Sequence, residues 1–131
     1  GNMHSQTLGT LGELKIRQRM LEMNYNFYIP EVDIFGVDLI VEMSNGAFKR
    51  VQIKTLSKST SETAIQVRCV KYVNLKPAID VIAVYYAPLD KCAFVPYNNE
   101  KMLSLALTTA KNNQTSKRQW FYQYDRFPEF S

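Results

Sequence analysis

Phe48-Lys49-Arg50-Val51-Gln52-Ile53-Lys54-Thr55 follows Gly36-Val37-Asp38-Leu39-Ile40-Val41-Glu42 across the dipeptide Asn45-Gly46. Asn-Gly flanked by alternating apolar residues is the strongest short hairpin signal a sequence carries, so the two stretches read as antiparallel strands. Side chains two apart on a strand point the same way. Val37, Leu39 and Val41 are expected on one face, with Asp38, Ile40 and Glu42 on the other. On the returning strand Lys49, Val51 and Ile53 oppose Phe48, Arg50, Gln52 and Lys54. Gln52 and Lys54 thus share a face, and the hairpin can bring Asp38 opposite them. A carboxylate, an amide oxygen and an ammonium converging on one spot suit a divalent cation and a phosphate held together, which is a geometry for phosphodiester cleavage.

Upstream, Thr10-Leu11-Gly12-Glu13 reads as a capping box, with Thr10 as the cap and Glu13 reaching back to it. Leu11, Leu14, Met20 and Leu21 continue at helical spacing and predict a helix to about Met23, stopped by Asn24-Tyr25-Asn26. Phe27-Tyr28-Ile29 is a short strand ended at Pro30. Downstream, Ser57 to Glu62 is polar without period and reads as a surface loop, and Ala64 to Val70 as a strand. Asp80 to Tyr86 is the most continuous apolar run and is expected inside the sheet. Pro88 to Lys91 turns the chain, Cys92 to Val95 returns to Pro96, and Asn98 to Met102 is expected as a short helix. The order predicts an α/β or α+β fold: one helix packed on a mixed sheet.

The 131 residues predict one domain spanning 1–131, and 46% hydrophobic with 21% charged residues is the balance of a globular chain. The net charge of +4 permits a polyanionic partner without demanding one. Cys69 and Cys92 are too few for a disulfide framework, and a single histidine, His4, leaves no zinc-ligand spacing and no Ser-His-Asp or Cys-His arrangement. A reducing, cytoplasmic compartment is the simpler expectation. No apolar run approaches the length that spans a bilayer, and no glycine-rich phosphate loop is present.

Gly12-Glu13 on an early helix, Gly36-Val37-Asp38-Leu39 on a strand and Val51-Gln52-Ile53-Lys54-Thr55 on the next resemble the PD-(D/E)XK nuclease superfamily. The pattern is most similar to its group I intron-associated homing endonuclease branch, where Gln replaces the usual second acid. Ile79 to Tyr85 followed by Ala93-Phe94-Val95-Pro96 looks like that group's second half, and Asn113-Gln114 like an Asn-Gln pair near its end. The resemblance spans about residues 8–125 and implies a restriction-endonuclease-like core, with helix 1 packed on a central mixed sheet.

The resemblance implies a metal-dependent DNA endonuclease using Mg²⁺, with Mn²⁺ as a substitute. Asp38, Gln52, Lys54 and Glu13 would be catalytic, and Asp38, Gln52, the Ile53 carbonyl and Glu13 would ligate the metal. Gln52 should bind metal more weakly than an acid would. Each residue has a plain alternative: a turn aspartate, a cross-strand glutamine, a solvated edge lysine, and for Glu13 the capping box itself. Lys49, Arg50, Ser57, Lys58, Arg68 and Lys71, with Lys111, Lys117 and Arg118, are candidates for tracking a DNA backbone. Glu31, Asp33 and Glu42 read as solvated, and Trp120, Phe121, Tyr122 and Tyr124 as core or subunit interface before stacking platform. Double-stranded DNA is the expected partner, cut by a homodimer or tetramer with two or more sites. Two rivals are a non-catalytic nucleic-acid-binding domain on the same fold, and a nuclease for RNA or branched DNA such as a Holliday-junction resolvase.

Overall fold

Among the described residues, 4–108 and 118–130, the computed structural model orders its main elements as α1 (Ser5–Glu22), β1 (Asn26–Tyr28), β2 (Leu39–Glu42), β3 (Phe48–Leu56), β4 (Ala64–Arg68), β5 (Val81–Tyr86), β6 (Lys91–Pro96) and β7 (Met102–Ala106). Short 3₁₀ turns fall at Val70–Tyr72, Ala87–Leu89 and Phe121–Tyr124. Five strands form one mixed sheet in the order β1-β2-β3-β5-β6, with β3 and β5 parallel and the other neighbours antiparallel. The expected restriction-endonuclease-like α+β core, helix on mixed sheet, is what the chain forms. A separate ribbon of β4 and β7 covers the other face, making three layers.

Alternation explains both buried faces. Along β5, Val81, Ala83 and Tyr85 join Ile16 and Met20 of α1 in one core, while Ile82, Val84 and Tyr86 join Ile65, Val67, Leu103 and Leu105 of the ribbon in the other. Every residue of β5 is buried, as its continuous apolar run predicts. On β3, Val51 and Ile53 face α1, which leaves Gln52 and Lys54 on the ribbon side.

The helix starts earlier than the Thr10 capping box implies. Its first hydrogen bond runs from Leu8 N–H to the His4 carbonyl, and Thr10 lies inside it, donating its hydroxyl to the Gln6 carbonyl at 3.1 Å. Glu13 therefore has no capping duty. The expected stop does occur: Asn24 takes a left-handed φ of 64°, with Asn24 N–H bonded to Leu21 and Tyr25 N–H to Met20, a Schellman closure.

The expected Asn45-Gly46 hairpin forms, and two further expectations are revised. The Asn45-Gly46 hairpin closes through a three-residue loop, with Gly46 at φ 87° and Asn45 Oδ1 accepting from Ala47 N–H. Asn98 to Met102 is not helical: Asn99 has φ 64° and Met102 opens β7, so that stretch leads into a strand. Val37 packs with the ribbon-side core although Leu39 and Val41 face α1. The turn closed by Val37 N–H on the Ile34 carbonyl, with Gly36 at φ 79°, breaks the alternation just before β2. The Asn113-Gln114 pair, Lys111 and Lys117 lie outside the described residues.

Candidate active site

The last paired residues of β2 and β3 are Leu39 and Val51. Beyond them β3 continues alone on that side through Gln52 to Leu56, while β5 still pairs its other edge. An unpaired strand edge exposes N–H and C=O groups that need partners. Here Asp38 supplies one. Its backbone N–H donates to the Val51 carbonyl at 2.9 Å, and its Oδ2 accepts from Ile53 N–H at 2.8 Å. The carboxylate thus takes the place of a missing strand carbonyl and is fixed beside Ile53.

The helix closes the other side. A Cβ on Gly12 would fall inside the Thr55 hydroxyl and 2.9 Å from the Thr55 Cβ, so only glycine lets α1 approach β3 this closely. One residue on, Glu13 reaches the same opening. Ser5, Leu8, Gly9 and Glu13 of α1 and Gln52, Ile53, Lys54, Thr55 and Ser57 along β3 and its exit line one open groove of about 370 Å³. Asp38 enters from the flank through its bond to Ile53 rather than as a lining residue.

Within this opening each polar group has a defined neighbour. The Gln52 side-chain amide donates to the Ile53 carbonyl at 3.1 Å, so its own amide oxygen is the freer acceptor of the two. The Lys54 ammonium stands 5.0 Å from the centre of the Tyr72 ring, a cation–π contact with a buried aromatic that also packs against Phe35. The nearest charged partner of Glu13 is Arg17, at 3.9 Å. Burial pushes the Asp38 carboxyl above its ordinary range; the Ile53 N–H opposes this, the charge of Asp33 adds to it, and Lys54 and Arg17 pull the other way. A carboxyl held up by desolvation, with two cations facing it, is a common signature of a functional site.

The structure therefore brings Glu13, Gln52, Ile53 and Lys54 together, with Asp38 one hydrogen bond away. Other candidates lie apart. Lys49 holds its ammonium 4.4 Å over the Phe130 ring, on the face opposite Gln52 and Lys54. Arg50 lies on the Gln52 face with its backbone N–H on Asp80 Oδ2. Ser57 lines the groove, and Lys58, Arg68 and Lys71 are exposed. Glu42 accepts the Tyr28 hydroxyl at 2.7 Å, while Glu31 and Asp33 are solvent-exposed. Phe121 is buried against Tyr86, and Tyr122 is exposed.

A family model described as PD-(D/E)XK endonuclease matches residues 3–127. The chain belongs to the PD-(D/E)XK endonuclease family. Among solved structures, the bacterial homing endonuclease I-Ssp6803I has a similar fold, with a TM-score of 0.65 at 16% identity over 94% of this chain and 87% of that one. No curated protein matches the chain.

Two features of this candidate site escape a reading of the sequence alone. Gly12 belongs to the quoted motif, but its close contact with Thr55, 43 positions away in the numbering, is not written in any local pattern. Arg17 is four residues beyond Glu13, a spacing that places the two on one helical face but is shared by many surface pairs.

Proposed function

We propose that this protein is a divalent-metal-dependent endonuclease that hydrolyses phosphodiester bonds in double-stranded DNA, with Asp38, Gln52, Lys54 and Glu13 as its working residues. The observation that carries the proposal is the opening between β2 and β3, where these four side chains gather around Ile53.

The donor set fits a hard cation. Among the described residues no group of three or more His, Cys, Asp or Glu forms a ready-made cage. Mg²⁺ does not require one: it binds through one or two carboxylates, retained waters and substrate phosphate. Asp38 and Glu13 supply the carboxylates and Gln52 a neutral amide oxygen; the Ile53 carbonyl, already accepting from Gln52, is a secondary donor. PD-(D/E)XK nucleases generally use divalent metals, and when bound the ion would supply Lewis-acid polarisation of the phosphate.

The chain's own residues do the rest. Lys54 offers a compact positive charge to the oxyanion that develops on phosphorus, and a donor to orient the attacking water. Tyr72 beneath it restricts where that ammonium rests. The elevated Asp38 keeps its hydrogen bond to Ile53 and so keeps its aim. Arg50, Ser57, Lys58, Arg68 and Lys71 are proposed to follow the flanking phosphates, and Lys49, turned toward Phe130, is a lesser contributor. A homodimer with one site per strand is the simplest assembly for cutting a duplex.

Plasmid cleavage in Mg²⁺ or Mn²⁺ tests the proposal. Lys54→Ala and Asp38→Asn are each expected to lose at least ~100-fold in rate, the scale of a lost electrostatic or acid–base contribution. Equal residual activity in wild type and both variants would identify a contaminant and defeat the assignment. DNA binding with no cleavage in either metal would favour a non-catalytic binding domain.

A further inference from the structure

The geometry points to Arg17 as a contact for the DNA phosphate at the cleavage groove, an inference that rests on the nuclease reading above. Arg17 follows Glu13 by one helical turn on α1, on the same face. Its guanidinium is under-used. Nη2 stands 3.9 Å from Glu13 Oε2, beyond hydrogen-bond length, and Nε is buried with no acceptor. Burying a donor without a partner is unfavourable, and such groups in native proteins call for an explanation. Arg19, two residues along, shows what an engaged arginine on this helix looks like: it donates to Glu22 at 2.7 Å and to the Asp125 carbonyl at 3.4 Å. Arg118, the other described residue with an orphaned Nε, already donates through Nη2 to the Thr108 carbonyl and stacks on Trp120.

Charge makes the same case. Asp38 and Glu13 bring two formal negative charges to the opening, Gln52 brings none and Lys54 brings one positive. Without Arg17 these groups sum to one net negative charge and would repel a phosphodiester; Arg17 offsets that charge, with Asp33 nearby as a further negative one. The side chain is 27% exposed, while Nε itself is enclosed. A planar guanidinium presents paired donors that match two oxygens of one phosphate, which an ammonium does not. Arg17 does not itself line the groove; it stands behind Glu13, one helical turn along α1, and offers a second positive charge at the groove's edge.

The alternative role is structural: Arg17 merely steadies Glu13. Duplex binding measured by fluorescence anisotropy in EDTA, where cleavage is arrested, separates the two. The probe is a labelled duplex oligonucleotide of mixed sequence, titrated over a range of NaCl for wild type, Arg17→Met and Arg17→Lys. A phosphate contact predicts several-fold weaker binding for Arg17→Met and a salt slope shallower by about 0.9, the value of one lost phosphate neutralisation. Arg17→Lys, which keeps the charge, should keep the slope with a smaller loss of affinity. An unchanged slope in Arg17→Met, with wild type binding and cutting DNA, overturns this assignment alone. A wild type that neither binds nor cuts duplex overturns the nuclease reading, and this inference with it. Should Arg17→Met fold poorly, a slope for Arg17→Lys that falls by the same amount equally refutes a charge contact.

Discussion

Gly12→Ala is the sharpest probe of how the groove is built. The added methyl would occupy the place of the Thr55 hydroxyl and lie 2.9 Å from the Thr55 Cβ. Rotating Thr55 about χ1 removes the hydroxyl clash but leaves Cβ where it is. An ordinary carbon contact begins near 3.4 Å, so α1 must retreat by about half an ångström at best. Two effects then compete in stability. Alanine is favoured over glycine in a helix by about 1 kcal/mol, and overpacking costs about 1–3 kcal/mol. The net loss is therefore about 0–2 kcal/mol, or a fall in Tm of up to roughly 8 °C for a chain of this length. Activity should suffer more, because Glu13 moves with the helix: a misplacement of about 1 Å can cost about 100-fold, so half of that is expected to cost about 10-fold. Plasmid cleavage and thermal unfolding, read side by side, check this. Thr55→Gly in the same chain removes the clash and should return much of the rate. Full activity in Gly12→Ala with unchanged Tm would show that the close approach has no bearing on the site.

Asp38→Asn keeps an acceptor for Ile53 N–H while removing the charge. Because folding raises the Asp38 pKa, the folded state holds its proton more tightly, and stability is lost as pH rises from the ordinary carboxylate range through the elevated folded value. In metal-free buffer the variant should therefore melt above wild type at neutral pH and converge with it in acid; a gain independent of pH would refute the cause. Gln52→Glu sacrifices the amide donor to the Ile53 carbonyl and sets a carboxylate against it. Without metal it should lose about 1 kcal/mol, and Mg²⁺ should raise its Tm by more than it raises that of wild type. Equal Mg²⁺ responses in calorimetry or thermal shift would place Gln52 outside the ion's reach.

What the sequence discloses follows the strength of local rules. The β2–β3 hairpin, the buried run of β5 and the helix stop at Asn24 are written in short-range chemistry: a turn dipeptide, a continuous apolar stretch, a residue tolerant of positive φ. The start of α1 is not. Its first turn is exposed and polar and carries no apolar period, so the Thr10…Glu13 spacing looked like a beginning when it is an interior. The face of Val37 was equally hidden, since one tight turn at Gly36 cancels an alternation that holds for the next four residues. The pairing of β4 with β7 joins residues nearly 40 positions apart and depends on packing against the sheet, which no local pattern encodes.

The candidate site shows the same division. Alternation places Gln52 and Lys54 on one face, but it cannot say where the β2–β3 ladder ends. That end is set by Asp38, whose side chain takes the Ile53 N–H that continued pairing would have used. One carboxylate therefore both ends the β2–β3 ladder and brings a half-buried charge to the flank of the groove. Truncating it to alanine would lose both functions at once, leaving Ile53 N–H without its acceptor at a cost of about 1–3 kcal/mol. Asparagine removes only the charge. If the two variants are equally slow but only alanine is unstable, the rate belongs to the charge and the stability to the hydrogen bond. If asparagine cleaves DNA as wild type does, the carboxylate is an architectural device, and the chemistry of the groove must rest on Glu13 and Lys54.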